Sequence, residues 1–407
     1  MTIEATGPRM NIGDLCYVQT ADGARVPVEV VGFRVKRILL MPLGDLRGIG
    51  PGNPLLPTHA PRKVRVGPAL IGRILDGAGN PMDGGPPVAY VREAPLIADA
   101  PPPLERNRIM EPLATGIRAV DGCITAGKGQ RIAIMSGSGV GKSKLIGMIA
   151  RNTNAAVNVI ALVGERGREV REFIEKDLGE EGLSRSVVIV ATSDTPALRR
   201  LSAAYVATAV AEYFREEGAD VMLMMDSVTR FAMAQREVGL AIGEPPTTKG
   251  YPPSVYALLP KLLERAGTSG SGSITGFYNV LIEGDDMNDP VGDLVRSILD
   301  GHVALSRGLA SRGHYPAIDV LESISRTMID VTTPAHQELS ARIRRVLATY
   351  REAEDLVNIG AYVAGSNPEI DQALRLMPGV RRFLQQGLEE TAAYEDIEAA
   401  MALALQG

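Results

Sequence analysis

The chain has 407 residues, of which 45% are hydrophobic and 22% charged, and its net charge is −5. This length allows two or three domains with sizeable cores, and the charge balance argues against a nucleic-acid partner, which normally requires a basic face. The two cysteines, Cys16 and Cys123, form no metal-binding pair, which favours a reducing cytoplasm. No secretion signal opens the chain and no run approaches 18 apolar residues, so we expect peripheral membrane association at most.

Residues 1–92 show the pattern of short strands separated by turns. The β-branched or alternating segments are CYVQT, VPVEVVGFRV and RILLMPL, and the turn-rich segments are GDLRGIGPGNP and DGAGNPMDGG. Short strands at close spacing, with no helical period between them, are typical of small all-β domains. The pattern therefore predicts an N-terminal β-barrel domain over residues 1–92.

Residues 93–330 alternate between strand-length apolar runs and helical segments. The apolar runs are RIAIMS, NVIALVGE, SVVIVAT, VMLMMDS and SITGFYNVLI, and a long helical candidate is LRRLSAAYVATAVAEYFREEG. Runs without polar alternation indicate strands buried on both faces, as in a mostly parallel sheet covered by helices. We therefore predict an α/β domain over residues 93–330.

Residues 331–407 are predicted to be helical. Ile343, Val346, Leu347 and Tyr350 recur at the spacing of one face of an amphipathic helix, and the remaining sequence continues in this style. This part is therefore predicted to form a C-terminal helical domain.

The segment SGSGVGKS, residues 136–143, nearly matches the phosphate-binding pattern G-x-x-x-x-G-K-[ST], with Ser136 in place of the first glycine. A strand precedes it and a helix follows, so backbone N–H groups and the helix N-terminus would face a phosphate. The alternative is a strand-to-helix turn that merely needs glycines. We expect serine to be tolerated at 136 if its φ is negative, and Ser136→Gly not to raise ATP affinity by orders of magnitude. The predicted nucleotide-binding residues of this segment are Ser138, Gly139, Val140, Gly141, Lys142, Ser143 and Lys144.

Two acidic residues at strand ends could complete a hydrolytic site. Asp226 ends the apolar run VMLMMD and is suited to hold Mg²⁺ through water, although an acidic residue there can also be a simple cap. Glu165 ends the run NVIALVGE and could polarise an attacking water. It could instead form a surface ion pair with Arg166 or Arg168, and Glu169 is a weaker candidate for the same role.

Several long blocks resemble the flagellar type III protein-export ATPases. They are GERGREVREF, MMDSVTRFAMAQREVGLAIGEPPTTKGYPPSVYALLPKLLERAG, GSITGFYNVLIEGDDMNDP and ILDGHVALSRGLASRGHYPAIDVLESISR. Injectisome ATPases share most of these blocks, and the β subunit of F-type ATP synthase is similar more distantly. The resemblance implies a RecA-like P-loop core between a small β-barrel and a helical C-terminal domain. It also implies a ring of six identical subunits that hydrolyses ATP to ADP with Mg²⁺ at sites between neighbours.

The resemblance also implies roles for individual residues. Lys142 and Ser143 would hold phosphate and Mg²⁺, Asp226 would be the second metal-site residue, and Glu165 would be the catalytic base. Arg166 and Arg230 would line the same pocket. Tyr315 would stack on adenine, the alternative being a plain core tyrosine, and Arg326 would be an arginine finger.

Partners and location follow from the same resemblance. The partners would be other copies of the chain, export-gate components, a stator-like regulator, a stalk protein, and export chaperones and substrates. The location would be cytoplasmic, peripheral at the inner face of the cytoplasmic membrane. Family members usually carry an extension before the barrel for the regulator, whereas MTIEATGPRM resembles the first barrel strand. We therefore expect a truncated or unusually short member with weakened regulator binding and ring formation.

Other functions remain open at this point. An injectisome ATPase fits the same blocks, and a catalytic subunit of a rotary ATPase would share the phosphate site but normally carries an acidic C-terminal loop that is missing from this sequence. A non-catalytic nucleotide-binding subunit would lack Glu165, and a Rho-like RNA translocase would need a more basic, aromatic barrel. The acidic stretch IEGDDMNDP is interpreted as a polar loop at the subunit boundary, with a second metal site as the alternative.

Overall fold

The computed structural model describes residues 2–282 and 289–406. Most of the acidic stretch IEGDDMNDP, residues 283–288, lies outside this description. The first five strands are β1 (Ile3–Ala5), β2 (Asp14–Gln19), β3 (Arg25–Arg34), β4 (Arg37–Pro42) and β5 (Leu55–Pro61). They form an antiparallel sheet in the order β1-β4-β3-β2-β5, with a small core of its own that includes Cys16, Val28 and Leu40.

The predicted barrel is an open sheet rather than a closed one. Closure would need a hydrogen-bonded ladder between the edge strands β1 and β5, and within residues 2–282 and 289–406 these strands pair only with β4 and β2. The edge strand β1 is three residues long, and all three of its residues face β4. The prediction of short strands is therefore correct for this part, and the prediction of a closed barrel is not.

The residues after the first sheet form a separate ribbon and one strand of the central sheet. Strands β6 (Lys63–Val66) and β8 (Arg92–Pro95) pair as an antiparallel ribbon. Between them, β7 (Ile74–Asp76) adds in parallel to the edge of the central sheet, where Ile74 lies opposite Val188. A segment inside the predicted first domain thus completes the sheet of the second.

The described residues of the central part form ten strands and ten α-helices. In chain order they are β9 (Pro112–Leu113), α1 (Arg118–Cys123), β10 (Ala126–Gly127), β11 (Arg131–Ser136), α2 (Lys142–Asn152), β12 (Val157–Glu165), α3 (Gly167–Glu172), α4 (Gly179–Ser184), β13 (Ser186–Thr192), α5 (Ala197–Glu216), β14 (Asp220–Asp226), α6 (Val228–Ile242), α7 (Pro253–Glu264), β15 (Gly267–Thr268), β16 (Ser273–Leu281), α8 (Pro290–Ile298), β17 (Gly301–Leu305), α9 (Arg307–Ser311), β18 (Ile318–Ser325) and α10 (Met328–Val331).

The central sheet has the order β18-β17-β11-β16-β14-β12-β13-β7, with β15 paired to β16. Its pairs are parallel except for those of β18 with β17 and of β15 with β16. The predicted runs RIAIMS and SVVIVAT match β11 and β13 residue for residue. These strands are apolar throughout because helices cover both faces, with α5, α6 and α7 on one side and α1 and α2 on the other.

The C-terminal part consists of α11 (Pro334–Asn358), α12 (Pro368–Leu384) and α13 (Ile397–Ala404). The predicted stripe is correct, because Ile343 and Val346 are buried and Leu347 packs against the same core. That core also contains residues of α1 and α2, so the helical part is joined to the face of the sheet that carries the phosphate loop. No helix within residues 2–282 and 289–406 has the length and apolar character needed to cross a membrane.

Candidate nucleotide site

The predicted phosphate loop connects the last residue of β11, Ser136, to the first residue of α2, Lys142. Gly139 and Gly141 have φ values of 79° and 89°, a left-handed conformation that strongly favours glycine. Ser136 has no positive φ and is only 1% exposed. A side chain is therefore compatible with the backbone at position 136 but would be strained at 139 and 141.

The start of α2 and the ends of β12 and β14 bring three charged side chains together next to this loop. Lys142 Nζ lies 2.7 Å from Asp226 Oδ1 and 3.6 Å from Glu165 Oε1. Burial opposes the positive charge of Lys142, but the carboxylates of Asp226 and Glu165 outweigh it and raise its pKa. The arrangement places one ammonium group between two carboxylates at the carboxyl edge of a parallel sheet, where open α/β sheets bind ligands.

Glu165 has the properties of a general base at this site. Its side chain is 13% exposed, and its buried Oε1 has no hydrogen-bond partner among the described residues. Burial and the charge of Asp226 raise the pKa of Glu165 to about 7. Burial also acts on Glu169, but hydrogen bonding with Glu165 and the charge of Arg166 outweigh it and lower the pKa of Glu169. Glu165 is thus the acid of this pair that holds its proton more tightly, with a pKa suited to proton transfer near neutral pH.

Arg230 and Ser138 line a cavity of about 210 Å³ beside the loop. The stem of Arg230 packs against Gly164, and its buried Nε has no hydrogen-bond partner among the described residues. Arg307, at the start of α9, lines the same cavity. The sequence predicted Arg230 but missed Arg307, which reaches the loop because it follows β17, and the last residue of β17, Leu305, lies opposite Ser136.

Tyr315 lies on the other side of the loop. It is 44% exposed, and its ring would lie 3.6 Å from a β-carbon added to Gly141. The backbone N–H of Gln386 donates to the carbonyl oxygen of Tyr315 at 2.9 Å, so the segment after α12 adjoins this ring. This exposure does not fit the alternative of a plain core tyrosine.

Two of the predicted residues lie apart from the Lys142 cluster. Arg166 is 77% exposed and forms an ion pair with Glu169 at 3.1 Å. Arg326 is exposed and follows β18, where its N–H donates to Asp300, whose own N–H donates to Arg131. Arg131 begins β11 and Ser136 ends it, so Arg326 lies at the opposite edge of the sheet from the loop, about 17 Å away along the strand.

The sequence analysis missed Asn279, a fully buried residue of β16 that donates to Asp226 Oδ1 at 2.8 Å. The available signal was a polar amide inside the apolar run SITGFYNVLI. That signal has no meaning until the order of the strands is known, because β16 lies between β11 and β14.

The comparisons with known proteins agree with this geometry. Residues 116–325 match the model of the ATP synthase alpha/beta family nucleotide-binding domain, and residues 332–402 match the C-terminal domain of the type III secretion ATPase EscN. The flagellum-specific ATP synthase of Bacillus subtilis is 54% identical, covering 98% of this chain and 92% of that protein. The chain belongs to the ATP synthase alpha/beta family. It is an ATPase of the type III secretion class, as the sequence blocks predicted.

Other relatives include both branches of the family. The type 3 secretion system ATPase of Xanthomonas euvesicatoria is 51% identical, covering 97% of this chain and 89% of that protein. The solved structure of the assembled ATPase EscN from enteropathogenic Escherichia coli superposes with a TM-score of 0.94 at 45% identity, covering 99% of this chain and 97% of that one. The match of residues 332–402 to a domain named for EscN favours the type III secretion class over a rotary ATPase subunit.

Proposed function

We propose that this ATPase is the subunit of a flagellar type III protein-export apparatus, working as a ring of six identical copies. The two most similar relatives named above are a flagellar and an injectisome ATPase, at 54% and 51% identity. The observation that carries the enzymatic part of the proposal is the cluster of Lys142, Asp226 and Glu165, in which the buried Oε1 of Glu165 lies 3.6 Å from the Lys142 ammonium group and accepts no hydrogen bond from the described residues.

In the proposed mechanism the loop amides of Ser138 to Lys144 and the N-terminus of α2 hold the phosphates of ATP. Lys142 releases Asp226 and contacts the β- and γ-phosphates. Glu165 accepts a proton from the attacking water through Oε1, which Lys142 would leave free when its ammonium group moves to the phosphates. Arg230 stabilises charge beside the loop, and Tyr315 stacks on the adenine.

Mg²⁺ fits the oxygen donors of this site. The hydroxyl of Ser143 and the carboxylate of Asp226 are ligands that Mg²⁺ prefers, and it usually completes its shell with waters and substrate phosphates. When bound it would neutralise charge that develops on the phosphates during transfer. We assign Ser143 as a direct ligand and Asp226 as a ligand acting through water.

Arg326 is proposed to act in the site of a neighbouring subunit. It lies at the sheet edge opposite to its own phosphate loop, so it cannot contact the nucleotide bound by the same chain. An arginine finger supplied by a neighbour typically contributes 10³–10⁵ in turnover. Arg166, exposed near the loop, is assigned to the same subunit boundary.

The remaining partners are proposed from the family. EscN has been solved assembled and in complex with its central stalk EscO, and the latter superposes with a TM-score of 0.92 at 44% identity. By analogy the ring of this chain would bind a stalk protein. We further propose that it meets a stator-like regulator, export-gate components, chaperones and export substrates at the inner face of the cytoplasmic membrane.

The ring proposal is tested by the dependence of turnover on protein concentration. Because each site needs a neighbour, specific ATPase activity is expected to rise with subunit concentration, and Arg326→Ala is expected to abolish the rise. Activity that is independent of concentration in the wild type, measured down to concentrations at which light scattering shows monomers, would contradict the ring.

The choice between flagellum and injectisome is tested in the source bacterium. Deletion of the gene is expected to remove flagellar filaments and swimming while leaving effector secretion intact, and the wild-type gene but not Lys142→Ala should restore swimming. Loss of effector secretion with normal motility would favour the injectisome function.

A further inference from the structure

Three polar side chains form a directed hydrogen-bond chain beneath the proposed metal site. Ser136 Oγ donates to Asn279 Oδ1 at 3.2 Å, and Asn279 Nδ2 donates to Asp226 Oδ1 at 2.8 Å. The three residues are 1%, 0% and 4% exposed. A chain of this kind is buried deeply enough that each lost partner would leave an unsatisfied polar group.

The sheet topology explains why these three residues meet. Strand β16 lies between β11 and β14, so its side chains can reach the ends of both neighbours. Side chains two residues apart on a strand point to the same face of the sheet. Ser136 therefore shares a face of β11 with Ile132 and Ile134, and Asn279 shares a face of β16 with Phe277. In the same way Asp226 shares a face of β14 with Met222 and Met224. All of these apolar residues belong to the core on the α2 side, so the three polar residues share the face that carries the phosphate loop.

The direction of each hydrogen bond matters because an amide has one donor end and one acceptor end. A hydroxyl at 136 that donates to Asn279 Oδ1 turns the Nδ2 donor toward Asp226. Without that hydroxyl Asn279 Oδ1 would lose its donor and lie buried without a hydrogen bond, which would weaken the hold of the amide on Asp226. Asp226 Oδ1 also accepts from Lys142 at 2.7 Å, and this contact would be lost if Lys142 turned to the phosphates.

We propose that Ser136 and Asn279 are positioning residues of the Mg²⁺ site, acting on Asp226 through this hydrogen-bond chain. Asn279 would hold Oδ1 once Lys142 has left it, which would keep the Asp226 carboxylate in place for Mg²⁺. Ser136 supports the Asn279 amide by donating to its acceptor end. The serine that departs from the P-loop pattern is therefore a functional part of the site. This inference rests on the proposed function, since it needs a Mg²⁺-nucleotide site at Lys142 and Asp226.

The test measures how strongly Mg²⁺ promotes nucleotide binding, with no turnover involved. The affinity for a fluorescent ADP analogue is titrated in EDTA and at increasing Mg²⁺ in the wild type, Asn279→Leu, Ser136→Ala and the double variant. Partners of metal ligands typically contribute 10- to 100-fold to metal affinity, so Asn279→Leu is expected to raise the half-saturating Mg²⁺ concentration by about that factor. Its affinity in EDTA should stay within about twofold of the wild type, because Asp226 does not contact the nucleotide directly.

Ser136→Ala is expected to raise the half-saturating Mg²⁺ concentration by about 2- to 10-fold, the usual effect of one hydrogen bond, and to add nothing in the Asn279→Leu background. The matched control is Thr275→Val, which removes a buried hydrogen bond from Gly129 on the same strand and the same face, four residues before Asn279. Its Mg²⁺ dependence should equal that of the wild type.

Three results would overturn the inference: unchanged Mg²⁺ dependence in Ser136→Ala, equal losses with and without Mg²⁺, or additive effects in the double variant. Ser136→Ala decides the question alone if Asn279→Leu does not fold. Nucleotide binding by the wild type that shows no Mg²⁺ dependence at all would instead contradict the proposed function itself.

Discussion

At the scale of single residues, the phosphate loop separates positions that need glycine from a position that does not. Gly139 and Gly141 have positive φ values, whereas Ser136 lies in extended backbone at the end of β11. The P-loop pattern treats all of its glycines alike, but the physical requirement differs between them. The expectation that serine is tolerated at 136 agrees with this backbone, although nothing in the sequence indicated that its hydroxyl has a partner.

The raised pKa of Glu165 leads to a prediction about stability. Burial and Asp226 raise this pKa to about 7, so the native chain holds a proton that the unfolded chain releases near pH 4.5. Stability is therefore expected to fall as the pH rises between these values. Glu165→Gln removes this penalty, so the excess of its Tm over that of the wild type should grow by about 1–3 °C between pH 5 and pH 8.

Differential scanning calorimetry of the nucleotide-free protein at both pH values checks this prediction. Glu169→Gln is the matched control, because the pKa of Glu169 is lowered and its pH dependence should have the opposite sign. A Tm difference for Glu165→Gln that stays constant from pH 5 to pH 8 would show that the carboxyl does not titrate in this range.

At the scale of elements, β18 is tied to the C-terminal helical part. The register of β18 against β17 is interrupted, because Ile324 faces His302 whereas Asp319 faces Ala304. Arg344 of α11 donates to the carbonyl oxygens of Val320 and Ser323 within this interruption, and Arg351 donates to Asp319 and Glu322. The strand that carries Arg326 at its end is thus held by two arginines from one helix.

This connection predicts that α11 influences turnover from a distance. Arg344→Met removes the guanidinium donors that bind the carbonyl oxygens of Val320 and Ser323. The end of β18 should then shift and displace Arg326, the proposed arginine finger. A displacement of about 1 Å can reduce turnover by about 10²-fold. We expect a fall in kcat of about 10- to 100-fold with little change in nucleotide Kd, measured by steady-state kinetics and equilibrium titration.

The exposed neighbour Arg345 provides the control, because it lies on the same helix away from β18 and Arg345→Met should behave as the wild type. A parallel loss of nucleotide affinity in Arg344→Met would indicate general loosening of the fold, and unchanged kcat would show that α11 does not position the strand.

The accuracy of the sequence analysis differed between elements for a physical reason. The strands β11, β13 and β16 were predicted well because burial on both faces makes them continuously apolar. Strand β7 is three residues long and pairs with a strand more than 100 residues later, and β18 mixes buried and exposed residues, so neither has a clear local signal. Asn279 was missed for the same reason, since its partners come from strands distant in sequence.

At the scale of the whole molecule, the groups proposed for hydrolysis lie at two opposite edges of one sheet. Lys142, Asp226 and Glu165 are at one edge, and Arg326 is at the other. A single chain therefore carries a complete set of groups but cannot assemble them around one nucleotide. A ring resolves this, because each chain would provide the phosphate site on one side and the finger on the other.

The most direct test mixes two inactive variants. Lys142→Ala retains the finger and lacks the phosphate lysine, whereas Arg326→Ala retains the site and lacks the finger. Each alone should hydrolyse ATP at a small fraction of the wild-type rate. In an equal mixture, half of the subunits have an intact site and half of those adjoin an intact finger, so about a quarter of the wild-type activity should return. Activity no greater than the sum of the separate variants, or substantial turnover by Arg326→Ala alone, would contradict catalysis shared between neighbouring subunits.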